Sequence, residues 1–376
     1  MVASREQLAA RLARVRGRVS ALGLESLLLT SLPNVFYLTG LRASAAAAIV
    51  TPDEIELITD FRYLTPAATL VASNRGPAAL TVTPVEGSYD ETIRDSLNRG
   101  HASRVGVEAD HLTLRQWTWL TDNLGHEVTL VRTEGLVEAV RLVKDAAEID
   151  ALRTAGGLLA RAVAPVLEFV RAGRTEREIA ADIDRTVTAV GFEDRAFETI
   201  VASGPNSALP HARPGHRRLG GDDLVVLDFG GVYNGYCVDL SRTVCVGQRS
   251  QEAMRLHRAV LDAQTAAIAV VRPGIPASDV DAAARGVLER EGLAEAFGHS
   301  TGHGLGVEVH EGPRIARARH AGPTGSGVLL ESGMVFTVEP GVYIPDVGGV
   351  RIEDDVLVTP EGCEVLTEAS RELVVC

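Results

Sequence analysis

Five residues in the second half of this 376-residue chain have the types and the spacing for metal chemistry. They are four carboxylates and one imidazole: Asp228, Asp239, His303, Glu339 and Glu353. Asp228 closes the run Leu224–Leu227 and Glu339 closes Met334–Val338, so both acids lie on predicted buried strands. An unpaired buried carboxylate is costly, and Arg351 alone cannot neutralise four of them. Oxygen ligands with one imidazole therefore predict two divalent cations that share bridging carboxylates, in a hydrolytic site.

Composition restricts the class of protein around that site. The length predicts two domains, and the cores must be filled by Ala, Val and Leu because aromatic residues make up only 4% of the chain. A formal net charge of −13 argues against nucleic acid or an anionic membrane as a partner. No apolar run approaches the ~20 residues of a membrane helix. Small neutral or zwitterionic substrates remain compatible with this surface.

The N-terminus and the cysteines predict a cytoplasmic protein. Arginines are frequent in the first 18 positions, as in a transit peptide, but apolar residues repeat there at helical spacing from Leu8 to Leu22. We therefore predict a structural amphipathic helix. The four cysteines form no C-x-x-C pair, so we interpret them as thiols of a reducing compartment.

The first 136 residues predict an α/β domain without visible catalytic chemistry. Short apolar runs such as Ser26–Thr30 and Ala45–Val50 alternate with helical segments, among them 112–123 with Thr113 or Asp110 as its cap. The segment lacks a P-loop and a G-x-G-x-x-G motif, which gives no support to nucleotide binding. Pro33–Gly40 reads as a turn followed by a strand, either a simple connection with Phe36 and Tyr37 in the core or an element near a binding site.

A second domain, 137–376, contains an internal repeat. Phe169–Ile179 resembles Val270–Val280 at a constant offset of 101 residues, and each copy is followed by a predicted helix. Two copies indicate two halves folded around a pseudo-two-fold axis rather than a solenoid. On that interpretation each half supplies one terminal acid, one bridging acid and one histidine of an H-x-x-P motif, as follows: Asp228, Asp239 and His211; Glu339, Glu353 and His310.

Several segments resemble the pita-bread metallopeptidases, a family that includes aminopeptidase P, prolidase, methionine aminopeptidase and the metal-free creatinases. They are the run His299–Pro313, the pair Asp228 and Asp239, Thr337–Gly341 and Gly349–Glu353. The first 140 residues also resemble the creatinase/prolidase N-terminal domain. The resemblance implies an α/β N-terminal domain followed by an α+β pita-bread catalytic domain. It favours the Xaa-Pro peptidase branch, since every metal ligand of that branch has a counterpart here.

The resemblance also implies how the residues divide the work. Asp239 and Glu353 would bridge two ions, Asp228 would complete one, and His303 with Glu339 the other. Manganese is the expected metal, with cobalt or zinc as alternatives. Attack by metal-activated hydroxide would cleave an Xaa-Pro peptide bond, with Glu339 moving the proton to the leaving nitrogen.

Further residues are expected to act around the metals. His310 or His211 would stabilise the oxyanion, and Arg351 would orient the bridging carboxylates. His299 would line the substrate pocket. Arg314 would bind the carboxylate of a dipeptide, or else be a rim arginine of no specific role.

Two other functions stay open. One is a metal-independent C–N hydrolase of creatinase type, and the other is a non-catalytic peptide-binding protein on the same fold. The resemblance further implies a homodimer that acts on short proline-containing peptides. In that dimer the N-terminal domain, through the segment Phe36–Arg42, would limit substrate length at the partner's cleft. Whether the enzyme is a dipeptidase or an aminopeptidase is left undecided by the sequence.

Overall fold

The structure, a computed structural model, describes residues 3–73, 75–100, 102–318, 325 and 327–376. The chain folds as two compact units, Met1–Arg141 and Leu142–Cys376, called here the N-terminal and the C-terminal unit. The sequence prediction had divided the domains five residues earlier, between residues 136 and 137. Within the described ranges, no helix is long and apolar enough to cross a membrane, and none of the cysteines forms a disulfide.

The N-terminal unit is a single mixed sheet with helices. Its strands lie in the order β4-β3-β2-β1-β5-β6, and β2 is antiparallel to both of its neighbours while the other pairs are parallel. The elements are α1 (Arg5–Ala21), β1 (Ser26–Leu29), α2 (Leu32–Thr39), β2 (Ala47–Val50), β3 (Ile55–Thr59), α3 (Leu64–Ala72), β4 (Leu80–Pro84), α4 (Tyr89–Arg99), β5 (Arg104–Glu108), α5 (Leu114–Asn123), β6 (Thr129–Thr133) and α6 (Glu138–Arg141). This arrangement confirms the predicted α/β unit.

Local signals account for most of these helices. Ser4 caps α1 in a capping box with Gln7, and the apolar stripe from Leu8 to Val19 is buried, as predicted for a structural helix. Thr113 caps α5 through the same motif with Gln116. Helix starts were therefore readable from the sequence where a Ser or Thr precedes Gln or Glu by three residues.

The prediction of a turn and strand at Pro33–Gly40 was wrong. The segment is helix α2, which begins with proline in its first turn and ends at Gly40 in the left-handed conformation (φ 79°). Its cap comes from far along the chain, since Glu108 accepts from the backbone amides of Thr30 (2.6 Å) and Ser31 (2.8 Å) and from Asn34 Nδ2 (2.6 Å). Local sequence cannot show a cap supplied from the end of β5. Of the two aromatic residues expected in the core, Tyr37 is buried and Phe36 is half-buried.

In its described residues the C-terminal unit packs four α-helices against antiparallel sheets. The elements are α7 (Ala146–Leu167), α8 (Glu176–Ala189), β7 (Asp194–Arg195), β8 (Ile200–Ser203), a 3-10 helix (Gly204–Ala208), β9 (Leu224–Tyr233), β10 (Tyr236–Cys245), α9 (Gln251–Val270), α10 (Ala277–Arg290), a 3-10 helix (Ala294–Ala296), β11 (Gly302–Gly304), β12 (Glu311–Ile315), β13 (Val335–Val338), β14 (Gly341–Ile344), β15 (Gly348–Arg351), β16 (Asp354–Val358) and β17 (Cys363–Val365). One sheet joins β10, β9, β8 and β7, another runs β12-β11-β13-β16-β17, and β14 pairs with β15.

The predicted internal repeat is visible in the backbone. Helices α8 and α10 begin and end at positions 101 residues apart, and the glycines before them, Gly173 and Gly274, both have φ 85°. Each helix is followed by another left-handed glycine, Gly191 or Gly292. One hydrophobic core forms around α7 and α8 and a second around α9 and α10. The two halves are thus two versions of one supersecondary unit.

The longest hairpin has a specific turn signal. Strands β9 and β10 pair over their whole length and are connected by Asn234 (φ 50°) and Gly235 (φ 85°). Asn-Gly is the preferred pair for a two-residue turn with positive φ at both positions, because neither residue pays a large steric penalty there. The turn fixes the register, and the register decides which side chains of the two strands share a face.

The cap of α2 yields a stability prediction. Glu108→Ala leaves three donors without their acceptor, so the free energy of unfolding of the N-terminal unit should fall by about 1–3 kcal/mol. The only two tryptophans, Trp117 and Trp119, lie on α5, so their fluorescence during urea unfolding reports this unit. The control is Glu25→Ala, which removes an exposed glutamate that also accepts from a backbone amide, that of Ser103. An effect no larger than that of the control would contradict the capping role.

Candidate active site

The strand registers of the C-terminal unit bring the predicted ligands together in pairs. Asp239 lies opposite Gly230, and Asp228 lies opposite Ser241, so the two aspartates are diagonal neighbours on one face of the β9–β10 hairpin. In the β13–β16 ladder Val338 pairs with Asp354. Continuing that register by one residue places Glu339 opposite Glu353. Each half of the repeat therefore contributes two acids from adjacent positions.

Three of the acids, Asp239, Glu353 and Glu339, lie close to His303, and the hairpin register puts Asp228 beside Asp239. Single ligand atoms of Asp239, His303 and Glu353 all lie within 4.8 Å of one another, and His303 Nε2 is 3.5 Å from Glu339 Oε1. His303 Nδ1 donates to the carbonyl of Gly304 at 3.1 Å, which leaves Nε2 as the nitrogen with a lone pair. This imidazole is thus held in the tautomer that binds a cation.

Burial and mutual repulsion disfavour the charged forms of these carboxylates. Burial, and then the charges of Glu353 and Asp228, raise the pKa of Asp239 well above its usual range. Burial raises the pKa of Glu353 and of Glu339 as well, and the nearby Glu339 charge adds to the effect at Glu353. Asp228 Oδ1 and Asp239 Oδ1 are buried and accept no hydrogen bond from the part of the protein that is described.

These residues fit divalent cations. Carboxylate oxygens without protein donors, facing an imidazole lone pair, are a donor set for manganese, cobalt or zinc. A cation among them would remove the repulsion that raises the carboxylate pKa values. The five predicted ligands lie on five different elements or their ends, so only the folded C-terminal unit assembles the set.

Arg351 contributes one permanent positive charge, and its position differs from the predicted one. Its Nη2 lies 2.5 Å from Asp228 Oδ2, whereas we expected it on the bridging carboxylates. It reaches Glu353 only through Ser241, whose hydroxyl accepts from Arg351 Nε (2.9 Å) and donates to Glu353 Oε2 (2.6 Å). Arg351 therefore orients Asp228 directly and Glu353 through the hydroxyl of Ser241.

A tyrosine connects Arg351 with His299. Tyr343 Oη accepts from Arg351 Nη1 at 2.7 Å and lies 3.0 Å from His299 Nε2. His299 Nδ1 donates to the carbonyl of Ser300, so Nε2 accepts the tyrosine proton. Burial raises the pKa of Tyr343 to about 12, so the phenol stays protonated and keeps donating at neutral pH. His299 is thereby fixed beside the acids.

Two further predicted residues, His310 and His211, lie near the ligand His303. The rings of His303 and His310 meet edge to face with centroids 4.3 Å apart. His310 keeps an exposed edge, yet partial burial and the charges of His303 and His211 lower its pKa to about 4. Burial lowers the pKa of His299, and the charges of Arg351 and His211 add to this effect. At neutral pH His310 is a neutral hydrogen-bond donor or acceptor.

Arg314 lies across from the histidine ligand. It pairs with His303 in the β11–β12 ladder, and its side chain is exposed. Cross-strand partners share a face of the sheet, so this guanidinium belongs to the same side as His303. A free carboxylate that approached the cleft there would meet a positive charge.

Sequence reasoning missed several supporting residues. Ser241, Tyr343 and Thr337, which donates to Glu339 Oε1 at 3.3 Å, were not predicted. Ser241 follows Asp239 by two positions and so shares its face of the strand, a signal that was available. Asp355, whose Oδ2 accepts from the Asp239 amide at 3.0 Å, was also missed. Its long-range partner gives no local signature.

Comparison with protein-family models matches both units. Residues 150–360 match metallopeptidase family M24, and residues 11–143 match the creatinase/prolidase N-terminal domain. The chain belongs to metallopeptidase family M24. The predicted pita-bread fold and family are thereby confirmed, and the N-terminal match sets the chain apart from members that lack that domain.

Individual M24 relatives agree over nearly the whole length. The chain is 36% identical to the uncharacterized peptidase YqhT of Bacillus subtilis over 365 residues, which cover 97% of this chain and 99% of that protein. The structure of an Xaa-Pro dipeptidase from Bacillus anthracis is similar with a TM-score of 0.91 and 33% identity, covering 98% of this chain and 100% of the other. An X-Pro aminopeptidase from Thermotoga maritima gives a TM-score of 0.84 with 32% identity, covering 96% and 100%.

The repulsion among the acids yields a prediction that does not depend on activity. In chelator, Asp239→Asn should melt at the same temperature as the wild type or higher, because one repelled charge is removed. Manganese at 100 times its Kd should stabilise the wild type by about 2.7 kcal/mol, and the variant clearly less. Calorimetry with and without manganese measures both effects.

A matched control is Asp355→Asn. Asp355 is also buried and also has its pKa raised by burial, but it lies outside the cluster of Asp239, His303 and Glu353. It should keep the manganese response, because an asparagine oxygen can still accept from the Asp239 amide. If manganese, cobalt and zinc all left the melting temperature of the wild type unchanged, the metal site would be contradicted.

Proposed function

We propose that this protein is a two-metal hydrolase that cleaves the Xaa-Pro bond of short peptides. The observation that carries the proposal is the set of converging acids and His303, with buried oxygens that the described residues leave without donors. The two similar structures named above, an Xaa-Pro dipeptidase and an X-Pro aminopeptidase, support the substrate class. A creatinase-like or non-catalytic protein has no need of a complete ligand set.

The five ligands divide between two cations. Asp239 and Glu353, one from each half of the repeat, would bridge them; Asp228 would complete one site, and His303 with Glu339 the other. Bound divalent cations would lower the pKa of a coordinated water and stabilise negative charge on the scissile carbonyl oxygen. Manganese is the metal we propose, with cobalt or zinc as alternatives.

Glu339 is the residue placed to move the proton. It is the least buried of the four acids, with a side chain that is 16% exposed, so its carboxylate is the most accessible of the four as a general base. Thr337 donates to its Oε1, which orients the carboxylate. Glu339 takes the proton of the attacking water and delivers it to the prolyl nitrogen as the C–N bond breaks.

His310 and His211 flank the reacting carbonyl. The pKa of His310, near 4, keeps its ring neutral, so it donates one hydrogen bond without carrying a charge that would repel the cations. Such a donor stabilises the oxyanion more than the ground-state carbonyl. His211 lies on an exposed loop in the first half and approaches the substrate from the other side. His299, held by Tyr343, lines the pocket.

Proline as the leaving residue fits a cleft of this kind. A prolyl amide has no N–H and a fixed φ, so an enzyme that holds substrates as an added strand cannot bind it well. We propose that Arg314 binds the free carboxylate of an Xaa-Pro dipeptide, which would favour dipeptidase activity. The homodimer, the role of Phe36–Arg42 in limiting substrate length and the cytoplasmic location rest on the sequence alone.

The first functional test varies the metal and the C-terminal group of the substrate. The manganese-loaded protein should hydrolyse an Xaa-Pro dipeptide and lose that activity in chelator. It should prefer the free acid over the C-terminal amide of the same dipeptide, and Arg314→Ala should reduce kcat/KM for the acid by about 10-fold while sparing the amide. Arg258→Ala, an exposed arginine on α9 paired with Asp262, is the control. Equal losses for acid and amide would remove the assignment of Arg314, and no hydrolysis at all would remove the proposed function.

A second test concerns His310. If this imidazole stabilises the oxyanion without binding metal, His310→Ala should lower kcat by about 100-fold while metal content stays at the wild-type level. Steady-state kinetics and elemental analysis of the same preparation give both values. The comparison variant is His303→Ala, which should lose metal. Loss of metal from the His310 variant would make that residue a ligand instead.

A further inference from the structure

The loop that carries His211 begins and ends at one buried carboxylate. His211 lies outside regular structure, between the 3-10 helix Gly204–Ala208 and β9, and its side chain is exposed. No helix or strand therefore fixes its position. The chain on both sides of the loop nevertheless returns to Glu176, the first residue of α8.

Glu176 is fully buried, with 0% exposure, and accepts from both ends of the loop. Its Oε1 accepts from the amide (2.8 Å) and the hydroxyl (2.8 Å) of Ser203, at the start of the loop. Its Oε2 accepts from the amide of Gly215, at the other end, at 3.0 Å. Asn206 Nδ2 lies 3.0 and 3.1 Å from the two oxygens. One side chain thus closes the segment 203–215 into a ring with His211 in its middle.

The neighbouring ion pair of Arg217 and Asp223 also contacts Ser203. Arg217 Nη1 donates to the hydroxyl of Ser203 at 2.7 Å, and its guanidinium binds Asp223. The Ser203 hydroxyl therefore accepts from Arg217 while it donates to Glu176. This satisfies the buried serine completely and leaves the Glu176 carboxylate as its fixed acceptor.

The second half of the repeat uses the same type of contact. Asp281 on α10 accepts with Oδ1 from both the amide (3.1 Å) and the hydroxyl (2.8 Å) of Thr301, two residues before His303. Glu176 and Asp281 are not equivalent at the offset of 101, since Asp281 lies one turn further into its helix. The shorter Asp281, one turn into α10, makes the same type of contact as the longer Glu176 at the start of α8. The likeness is therefore visible only in three dimensions.

We propose that Glu176 is a positioning residue that holds the His211 loop, as Asp281 holds the strand of His303. The proposal rests on the function proposed above, because it assigns Glu176 an effect on turnover through His211. Glutamine at position 176 would present an amide nitrogen to donors on one side of the ring, and the loop would loosen there. The predicted ligands lie on other strands and loops, so metal content should not change.

The test is a double-mutant cycle on Xaa-Pro hydrolysis. Glu176→Gln should lower kcat by about 10-fold in the wild-type background and by less than about 2-fold in the His211→Ala background, since its effect passes through His211. Metal content of all variants should equal that of the wild type. Equal factors in the two backgrounds would show a general structural role and overturn the proposal. Should Glu176→Gln not fold, Ser203→Ala removes a single donor of the same ring and enters the same cycle.

Hydrogen exchange tests the positioning without any activity. In Glu176→Gln the amides of Ser203 and Gly215 should exchange faster, while the amide of Thr301 stays protected; in the matched variant Asp281→Asn the pattern should reverse. If the wild type hydrolyses no Xaa-Pro peptide, the proposed function fails, and exchange still shows whether Glu176 holds the loop. Unchanged exchange at Ser203 and Gly215 would overturn the inference whatever the activity.

Discussion

Repulsion among buried carboxylates is the constraint on which the C-terminal unit is built. Asp228, Asp239 and Glu353 are each less than one-tenth exposed, and within the described chain Arg351 is the basic side chain seen in direct contact with one of them. A flexible scaffold would relieve such repulsion by moving the acids apart or admitting water. Here the strands that carry them are tied by continuous backbone ladders between two hydrophobic cores. The repulsion therefore remains, and a bound divalent cation would relieve it.

A second buried ion pair keeps the two ladders together. Arg242 follows Ser241 on β10, and its guanidinium donates to the backbone carbonyls of Ser241 (2.9 Å) and Glu353 (2.6 Å) and to Asp354 Oδ1 (2.8 Å). Asp354 also accepts from Gln264 on α9 at 2.9 Å. The backbone of one predicted bridging ligand is thus bound to the strand of the other. This ion pair therefore helps to set the distance between the two predicted bridging acids, Asp239 and Glu353.

The sequence predicted those parts of the fold whose causes are local. Asp228 and Glu339 were placed on strands because apolar runs precede them, and the structure has Asp228 on β9 and Glu339 directly after β13; the repeat that contains Gly173 and Gly274 was also recognised, whereas the equally local Asn234-Gly235 turn was not predicted. The repeat then indicated which acids would meet. What escaped prediction depends on partners distant in the chain. Helix α2 needs Glu108, 77 residues beyond Ser31, and the contact of Arg351 with Asp228 spans 123 residues. Hydrophobic periodicity and secondary-structure propensity carry no information about such distant pairs.

The repeat also explains why the histidines differ in role. In the second half β11 pairs with β13 and carries His303, so this imidazole is fixed by a ladder, as a metal ligand must be. In the first half β8 takes the corresponding place beside β9, but it ends at Ser203 and bears no histidine. His211 follows on the loop instead. His211 is therefore placed by a loop that Glu176 holds at both ends, and not by a strand. Divergence of the halves therefore puts the predicted metal ligand His303 on a strand and His211, predicted to contact the substrate, on a loop.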